Sequence, residues 1–213
     1  ALKNDLSKTL VIVSSKSGTT IETMSHRLIF EDAFKKQSLR PNAHMVFVTD
    51  PGSPLDEQVR TEGFSVVNAD PHVGGRFSVL SAFGLVPSAL IGVDVSVLLD
   101  DANDAKESFL LDPQLVCDIA FLLAYRSNQY IAFNDTNSGM HGLSDWIEQL
   151  IAESTGKDQV GRLPIVVKKF NEVHSDDCFN VAFSGDADLV VEAGLPAQFI
   201  VWEWVTSLLC FAL

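Results

Sequence analysis

Short apolar runs alternate with longer amphipathic segments along most of the chain. Runs rich in Val, Ile and Phe, each typical of a buried strand, cover residues 9–14, 45–49, 64–67, 130–133, 163–167 and 179–183. Segments with helical spacing of apolar residues lie between most of these runs. Strands that alternate with helices favour parallel pairing, since a parallel connection has to cross one face of the sheet. The pattern therefore predicts an α/β protein.

The polar run 100–104 separates two sets of these elements. Four of its five residues are Asp or Asn, which suit solvated turns and helix starts. We therefore predict one unit over 1–100 and a second over 101–213. In the first unit a Gly-Gly-Arg loop precedes a predicted apolar helix over 77–90. The last residues, 199–213, form an apolar helical pattern without a stop signal, so we expect the chain to be part of a longer protein.

Composition and charge limit the partners of the chain. Of 213 residues, 46% are apolar, which is enough for a substantial core. The chain has 15 basic and 28 acidic residues, a net charge of −13, which would repel nucleic acids and anionic membranes. Segment 199–213 is too short to span a bilayer and contains Glu203. We predict a soluble protein with no nucleic acid and no membrane as partners.

The cysteines, histidines and tryptophans carry no pattern typical of a site. Three widely spaced cysteines among apolar neighbours predict reduced core thiols and a cytoplasmic location: Cys117, Cys178 and Cys210. No His/Cys cluster has metal-ligand spacing, so we predict no metal and no cofactor. Single histidines in polar loops are typical of solvated side chains. Trp146, Trp202 and Trp204 lie in amphipathic helical patterns, which indicates packing.

The loop after the first predicted strand combines hydroxyls, one lysine and one glycine. It reads Ser-Ser-Lys-Ser-Gly-Thr-Thr over 14–20 and leads into a helix. The first amides of a helix lack intrahelical partners and attract anions. Hydroxyls of Ser15, Ser17 and Thr20 and the charge of Lys16 would strengthen such a site. Alternatively, Thr19 begins the helix in a capping box with Glu22. The residues alone leave both interpretations open.

A second candidate lies on the predicted helix that contains Glu153. One apolar stripe runs along this helix: Leu143, Ile147, Leu150 and Ile151. Gln149 and Glu153 are i, i+4 neighbours at the edge of the stripe. At the border between core and cleft a partly desolvated carboxylate suits a general base, whereas a Glu near a helix end is also commonly solvated.

Three stretches resemble motifs of one family. Ser-Ser-Lys-Ser-Gly-Thr-Thr-Ile-Glu-Thr over 14–23 resembles the phosphate loop of sugar isomerase (SIS) domains, in particular of the glucose-6-phosphate isomerase family. Gly-Gly-Arg-Phe-Ser-Val-Leu-Ser-Ala-Phe-Gly-Leu over 74–85 resembles its GGR[FY]S block, and Glu-Ser-Thr-Gly-Lys over 153–157 resembles its E-S-x-G-K block. The three stretches occur in the order that the family has.

This resemblance implies a fold and an activity. The fold is α/β, with doubly wound parallel sheets flanked by helices in three α/β/α layers, as in flavodoxin-like SIS domains. Residues 1–100 would be a partial first SIS domain with the phosphate loop. Residues 101–213 would be a second SIS domain with the catalytic Glu, truncated at its C-terminus. The implied activity is aldose–ketose isomerisation between glucose 6-phosphate and fructose 6-phosphate, without cofactor or metal.

The resemblance also implies a role for each site residue. Glu153 corresponds to the base that moves a proton between C2 and C1 through a cis-enediol(ate), and Arg76 to the arginine that stabilises the developing negative charge. Ser15, Lys16, Ser17 and Thr20 correspond to the phosphate cradle. Gly75 and Gln149 correspond to substrate contacts. His174 matches no family motif, so the role of the ring-opening histidine is not transferred to it.

Other functions and partners stay open at this point. A sugar-phosphate-binding SIS module without catalysis would keep the loop but would have no use for Glu153 and Arg76. A third alternative is a chain that only folds and pairs, because its site needs further segments. The stretches 152–158 and 199–204 are most similar to the isomerase part of fused transaldolase/glucose-6-phosphate isomerases. This similarity suggests a transaldolase domain fused in the parent protein. A sugar-phosphate substrate and a homodimer are the other expected partners.

Overall fold

A computed structural model of the chain describes residues 5–125, 129–136, 141–158, 160–168, 177–184 and 201–202. Its strands are β1 (Val11–Ser14), β2 (Met45–Thr49), β3 (Ser65–Asn68), β4 (Tyr130–Thr136), β5 (Leu163–Val166), β6 (Cys178–Ser184) and β7 (Val201–Trp202). Its α-helices are α1 (Ile21–Lys36), α2 (Pro54–Thr61), α3 (Ala82–Leu90), α4 (Val95–Leu111), α5 (Gln114–Tyr125) and α6 (Leu143–Thr155). Short 3-10 helices cover Leu6–Lys8, Pro41–Ala43 and Gly75–Leu80. All six predicted strands are present, and the α/β class is confirmed.

The chain divides into two compact units between Asp100 and Asp101. The polar run 100–104, whose residues suit turns and helix starts, lies inside α4. The helix begins earlier because the Asp94 carboxylate accepts hydrogen bonds from the backbone amides of Ser96 at 3.0 Å and Val97 at 3.4 Å. Bonding to the hydroxyl and amide of Ser96 lowers the pKa of Asp94. The assignment of the two units to two SIS domains stays a prediction.

The first unit is built on a parallel sheet with strand order β1-β2-β3. Val13 of β1 pairs with Phe47 of β2, and both side chains are buried on one face. Phe34 of α1 and Val59 of α2, each fully buried, pack into the same core cluster. The two crossover helices therefore cover one face of the sheet, as right-handed parallel connections require.

The second unit contains a parallel sheet with strand order β5-β4-β6-β7. Its residues alternate between two faces, as the pleat dictates. One face packs against α6 through Ile131, Phe133, Phe179, Val181 and Phe183. The other face carries Ala132, Ala182 and Cys178, and burial raises the pKa of the Cys178 thiol. The central position of β4, paired on both edges, fits its mostly apolar sequence.

Several local predictions are wrong for identifiable reasons. The predicted helix 77–90 is interrupted at Ser81, whose hydroxyl accepts a bond from Phe83 N at 3.3 Å and so begins α3. Trp202 lies in β7, paired with Phe183, not in a helix; Trp204 and Cys210 lie outside the described residues. Trp146 packs against the core as predicted.

Cys117 is exposed, not a core thiol. His44 is not simply solvated, because its ring stacks on Phe34 at 5.0 Å between centroids.

Candidate functional site

The loop between β1 and α1 is shaped by its own hydroxyls. Ser15 is buried, and its Oγ accepts a hydrogen bond from Gly18 N at 3.0 Å. Ser17 Oγ lies 2.7 Å from Thr19 Oγ1 and accepts a bond from Thr19 N at 3.3 Å. Ser15 therefore closes the turn from inside, while Ser17 and Thr19 lie on the exposed side of the loop. This local network positions the start of α1.

Helix α1 begins at Thr20 rather than at Thr19, so the predicted capping box between Thr19 and Glu22 is wrong. Thr20 is the N-cap, with extended backbone, and its side chain makes no capping hydrogen bond. It is exposed, as are Ile21 and Glu22 after it. The N-terminus of this 16-residue helix is therefore open, since the side chain of its N-cap residue bonds none of the first backbone amides. Such an end favours an anion through its amides and its dipole together.

Gly18 fixes the close approach of this loop to α2. Its φ of +75° lies in the left-handed region that glycine tolerates best. A Cβ atom at Gly18 would lie 2.4 Å from Leu55 Cβ. Leu55 is 2% exposed and follows the first residue of α2. A side chain at position 18 would therefore be excluded both by backbone conformation and by contact.

The start of α2 is held firmly beneath the loop. Ser53 Oγ accepts a bond from Asp56 N at 3.1 Å, and Asp56 Oδ2 accepts one from Gly52 N at 3.0 Å. The bond from Gly52 N, followed by bonds from Asn68 and Arg60, holds the pKa of Asp56 below its ordinary value. These two bonds hold the first turn of α2, which contains Leu55.

Lys16 reaches across the carboxyl edge of the sheet. Its Nζ donates to Asp50 Oδ1 at 2.9 Å and lies 3.5 Å from the carbonyl oxygen of Asp70. Asp50 follows β2 and Asp70 comes shortly after β3. The Lys16 ammonium also lies 5.6 Å from the centre of the Phe83 ring, within cation–π range. Residues after all three parallel strands thus meet at one edge, where α/β proteins commonly bind ligands.

The Gly-Gly-Arg segment adjoins this edge. A Cβ at Gly75 would lie 3.9 Å from Lys16 Cδ, so the stem of Lys16 runs beside this glycine. Arg76 is half-buried in the 3-10 helix Gly75–Leu80, and its guanidinium carbon lies 5.8 Å from the centre of the Phe77 ring. The structure therefore brings the loop over 14–20 and Gly75 together within the first unit.

Glu153 and Gln149 lie together in the second unit. Both are on α6, and Gln149 Nε2 donates to Glu153 Oε1 at 3.0 Å. The predicted apolar stripe is confirmed, because Leu143, Ile147, Leu150 and Ile151 are buried or pack against the core. Glu153 itself is exposed, whereas partial burial was expected. Its site on the last turn of the helix accounts for this, since α6 ends two residues later at Thr155.

The described residues are also informative about metals and membranes. Within them, no group of three or more His, Cys, Asp or Glu side chains is placed to hold a metal ion. None of the helices in the described part of the chain combines the length and apolar character that a membrane crossing requires. His174 lies outside the described residues.

Sequence reasoning missed Asp50 as part of the site. The only signal for it was topological: it directly follows a buried strand that neighbours the strand before the phosphate loop. Residues at the carboxyl ends of adjacent parallel strands meet at one edge of the sheet. The side-chain pairing with Lys16 required the register between β1 and β2.

Fold and loop together define a class: an α/β protein with an exposed, hydroxyl-rich loop and a helix N-terminus after its first parallel strand. Within that class, the chain belongs to the phosphoglucose isomerase family, whose family model matches residues 2–167. It is 32% identical over 177 residues to a probable glucose-6-phosphate isomerase of Methanococcus maripaludis, covering 80% of this chain and 40% of the relative. It is 36% identical over 165 residues to a glucose-6-phosphate isomerase of a Synechococcus species, covering 73% of this chain and 31% of the relative.

Solved structures agree with this assignment of the fold. A hypothetical protein from Thermus thermophilus matches with a TM-score of 0.75 and 31% identity, over 85% of this chain and 49% of that one. A glucose-6-phosphate isomerase from Chlamydia trachomatis matches with a TM-score of 0.75, over 99% of this chain and 54% of that one. At 21% identity the second match supports the fold alone. The chain spans about 40% of the length of the curated relatives.

Proposed function

We propose that the chain is the part of a glucose-6-phosphate isomerase that binds the sugar phosphate and provides the base. The observation that carries the proposal is the open N-terminus of α1, where Thr20 makes no capping bond and the preceding Ser17 and Thr19 are exposed. Membership of the phosphoglucose isomerase family supports the choice of a hexose 6-phosphate as ligand. Helix amides and hydroxyls would hold the phosphate dianion.

The proposed reaction moves one proton between two carbons and one between two oxygens of an open-chain sugar. Glu153 takes the proton from C2 of glucose 6-phosphate, and the electron pair forms a cis-enediolate with its negative charge on O1. Transfer of the O2 hydroxyl proton to O1, with return of the first proton from Glu153 to C1, gives fructose 6-phosphate, so atoms and charge balance. Gln149 fixes one oxygen of the base through its 3.0 Å hydrogen bond. Arg76, always ionised, would stabilise the enediolate oxygen. Gly75 would contact the sugar.

The test of the catalytic role is Glu153→Gln in the full-length protein. Loss of a general base lowers kcat by about 10²–10⁴-fold, while KM for fructose 6-phosphate should change only a few-fold. Glu148→Gln is the matched control, because it makes the same chemical change on the same helix five residues earlier. Solvent deuterium should enter C2 with the native enzyme and not with Glu153→Gln.

The outcomes separate the alternatives. Interconversion that survives in Glu153→Gln would remove Glu153 from the role of base. Saturable binding of fructose 6-phosphate, but not of fructose, without any turnover by the native protein would indicate a non-catalytic sugar-phosphate-binding module. Absence of both binding and turnover would refute the proposed function.

The location and the partners are further proposals. An odd number of widely spaced cysteines supports a cytoplasmic location. The homodimer and the fused transaldolase domain rest only on the sequence resemblance. The mass of the full-length protein in solution, and a transaldolase assay on it, would test them.

A further inference from the structure

Lys16 is held at both its backbone and its side chain by the neighbouring strand. Its carbonyl oxygen accepts bonds from Thr49 Oγ1 at 3.0 Å and from Asp50 N at 3.3 Å. Thr49 is fully buried, and its hydroxyl also contacts Ser53 Oγ at 3.0 Å. Because these bonds fix the backbone of Lys16, only its side chain can rotate toward a different partner.

The side chain of Lys16 turns toward Asp50. Within the described residues its polar contacts are the Asp50 carboxylate and the Asp70 carbonyl, which follow β2 and β3. Its stem lies beside Gly75, and its ammonium faces Phe83. The side chains of Lys16 and Asp50 are only 29% and 18% exposed, so solvent screens this ion pair less than a surface pair.

We propose that Asp50 is a positioning residue that keeps the stem of Lys16 beside Gly75 and its ammonium out of the phosphate cradle. The inference rests on the proposed function, in which the loop from Ser15 to Thr20 binds the phosphate. The proposal changes which groups of that loop bind the phosphate. Phosphate is held by neutral donors, namely helix amides and hydroxyls, while the charge of Lys16 is compensated by Asp50. Asp50 thereby limits the affinity of the loop for free phosphate.

The experiment measures binding of inorganic phosphate to the full chain by calorimetry at low salt. Asp50→Asn removes the charge but keeps the size and an acceptor oxygen. It frees Lys16 for the phosphate, so the dissociation constant should fall by about fivefold, and 0.5 M NaCl should abolish most of the gain. Asp50→Ser, which removes the carboxylate with a smaller side chain, should tighten binding in the same direction. In the full-length protein Asp50→Asn should lower KM and kcat together, because Lys16 has left its place.

Asp70→Asn is the matched control. It removes an equal charge from an exposed residue near the same edge, while the backbone carbonyl that contacts Lys16 remains. Asn can still accept the 2.8 Å bond from His72 N, so the turn is kept. We expect less than a twofold change in phosphate affinity. In the background of Lys16→Met, Asp50→Asn should also change the affinity by less than twofold, because the residue that it releases is gone.

Several results would overturn the inference. They are unchanged or weaker phosphate binding in both Asp50 variants, equal tightening by Asp70→Asn, a full effect that persists in Lys16→Met, or no binding by native and variant chains alike. If Asp50 had a merely structural role, replacing it would lower the stability of the protein and weaken phosphate binding, whereas the proposal expects tighter binding. Failure of the proposed function is read separately, from isomerisation by the native full-length protein.

Discussion

Replacement of Gly18 by alanine tests whether contact with α2 shapes the phosphate loop. The added methyl group would lie 2.4 Å from Leu55 Cβ, far inside van der Waals contact. Leu55 Cβ is attached directly to the backbone of α2, so no rotamer change moves it away. Either the loop or the start of α2 must shift, and the turn from Ser15 to Thr20 would open.

The magnitude follows from two terms that Gly52 allows us to separate. Alanine at a positive φ costs about 1–2 kcal/mol, offset by about 0.4–1 kcal/mol from the less flexible unfolded chain. Gly52 has a φ of +69°, close to the +75° of Gly18, but a Cβ there would meet nothing within 4 Å. Overpacking adds about 1–3 kcal/mol at Gly18 only. We expect losses of about 2–4 kcal/mol for Gly18→Ala and about 1 kcal/mol for Gly52→Ala.

The assay is urea unfolding of the full chain with each variant, followed by titration with fructose 6-phosphate. Gly18→Ala should lose affinity more than tenfold, as the donors move apart, and Gly52→Ala should bind like the native chain. Equal unfolding free energies for the two variants, within about 0.5 kcal/mol, would refute the reasoning that Leu55 constrains the loop.

Three further predictions concern the units that support the site. Arg27 is 3% exposed and pairs with Glu31 and Glu62, so Arg27→Met should lower the free energy of unfolding by about 3 kcal/mol. Lys36→Met breaks an exposed pair with Asp32 and should change this free energy by less than about 0.5 kcal/mol. Equal losses in the two variants would contradict the prediction. Arg162 donates hydrogen bonds to the carbonyls of Leu123 and Ala124 at the end of α5. Arg162→Met should therefore lower the free energy of unfolding, measured by thermal unfolding, by about 1–2 kcal/mol. The control is Arg40→Met at an exposed position, and an unchanged free energy of unfolding in Arg162→Met would exclude this C-cap. The pKa of Asp56 is lower in the folded chain than in the unfolded one, so its stabilisation is complete above about pH 5 and is lost as pH falls through the folded pKa. Asp56→Asn should therefore flatten the decline of stability below about pH 4, and an unchanged pH profile would contradict this role.

The strands were predictable because their apolar runs are short, continuous and bounded by turn residues. β2, for example, has the bounds that the sequence predicts, Met45–Thr49. Helix starts were less predictable, because several polar residues compete for each cap. Thr20 rather than Thr19 begins α1, and Asp94 begins α4 ahead of the polar run at 100–104. Exchanging one cap for another changes the free energy by only about 1 kcal/mol, which tertiary packing easily outweighs.

The candidate site divides in the same way. Motif spelling proposed the loop, Arg76 and Glu153 as candidates, and their roles stay predictions. It did not reveal that Ser15 is buried inside the turn or that Glu153 is exposed. It also did not reveal that Lys16 pairs with Asp50, and the role of Lys16 in the phosphate cradle stays a prediction. The pairing of Lys16 with Asp50 depends on a partner that is distant in sequence.

The sequence by itself determined the α/β class, the six main strands, the apolar stripe of α6 and the family of the chain. Those features depend on periodicity and on motifs within about 20 residues, where local conformation and burial agree. Only the tertiary structure decided the partner of Lys16, the contact between Gly18 and Leu55, and the open N-terminus of α1. The physical reason is that parallel strands bring residues 16, 50 and 70 to one edge of the sheet, and no local pattern records which side chains will then meet.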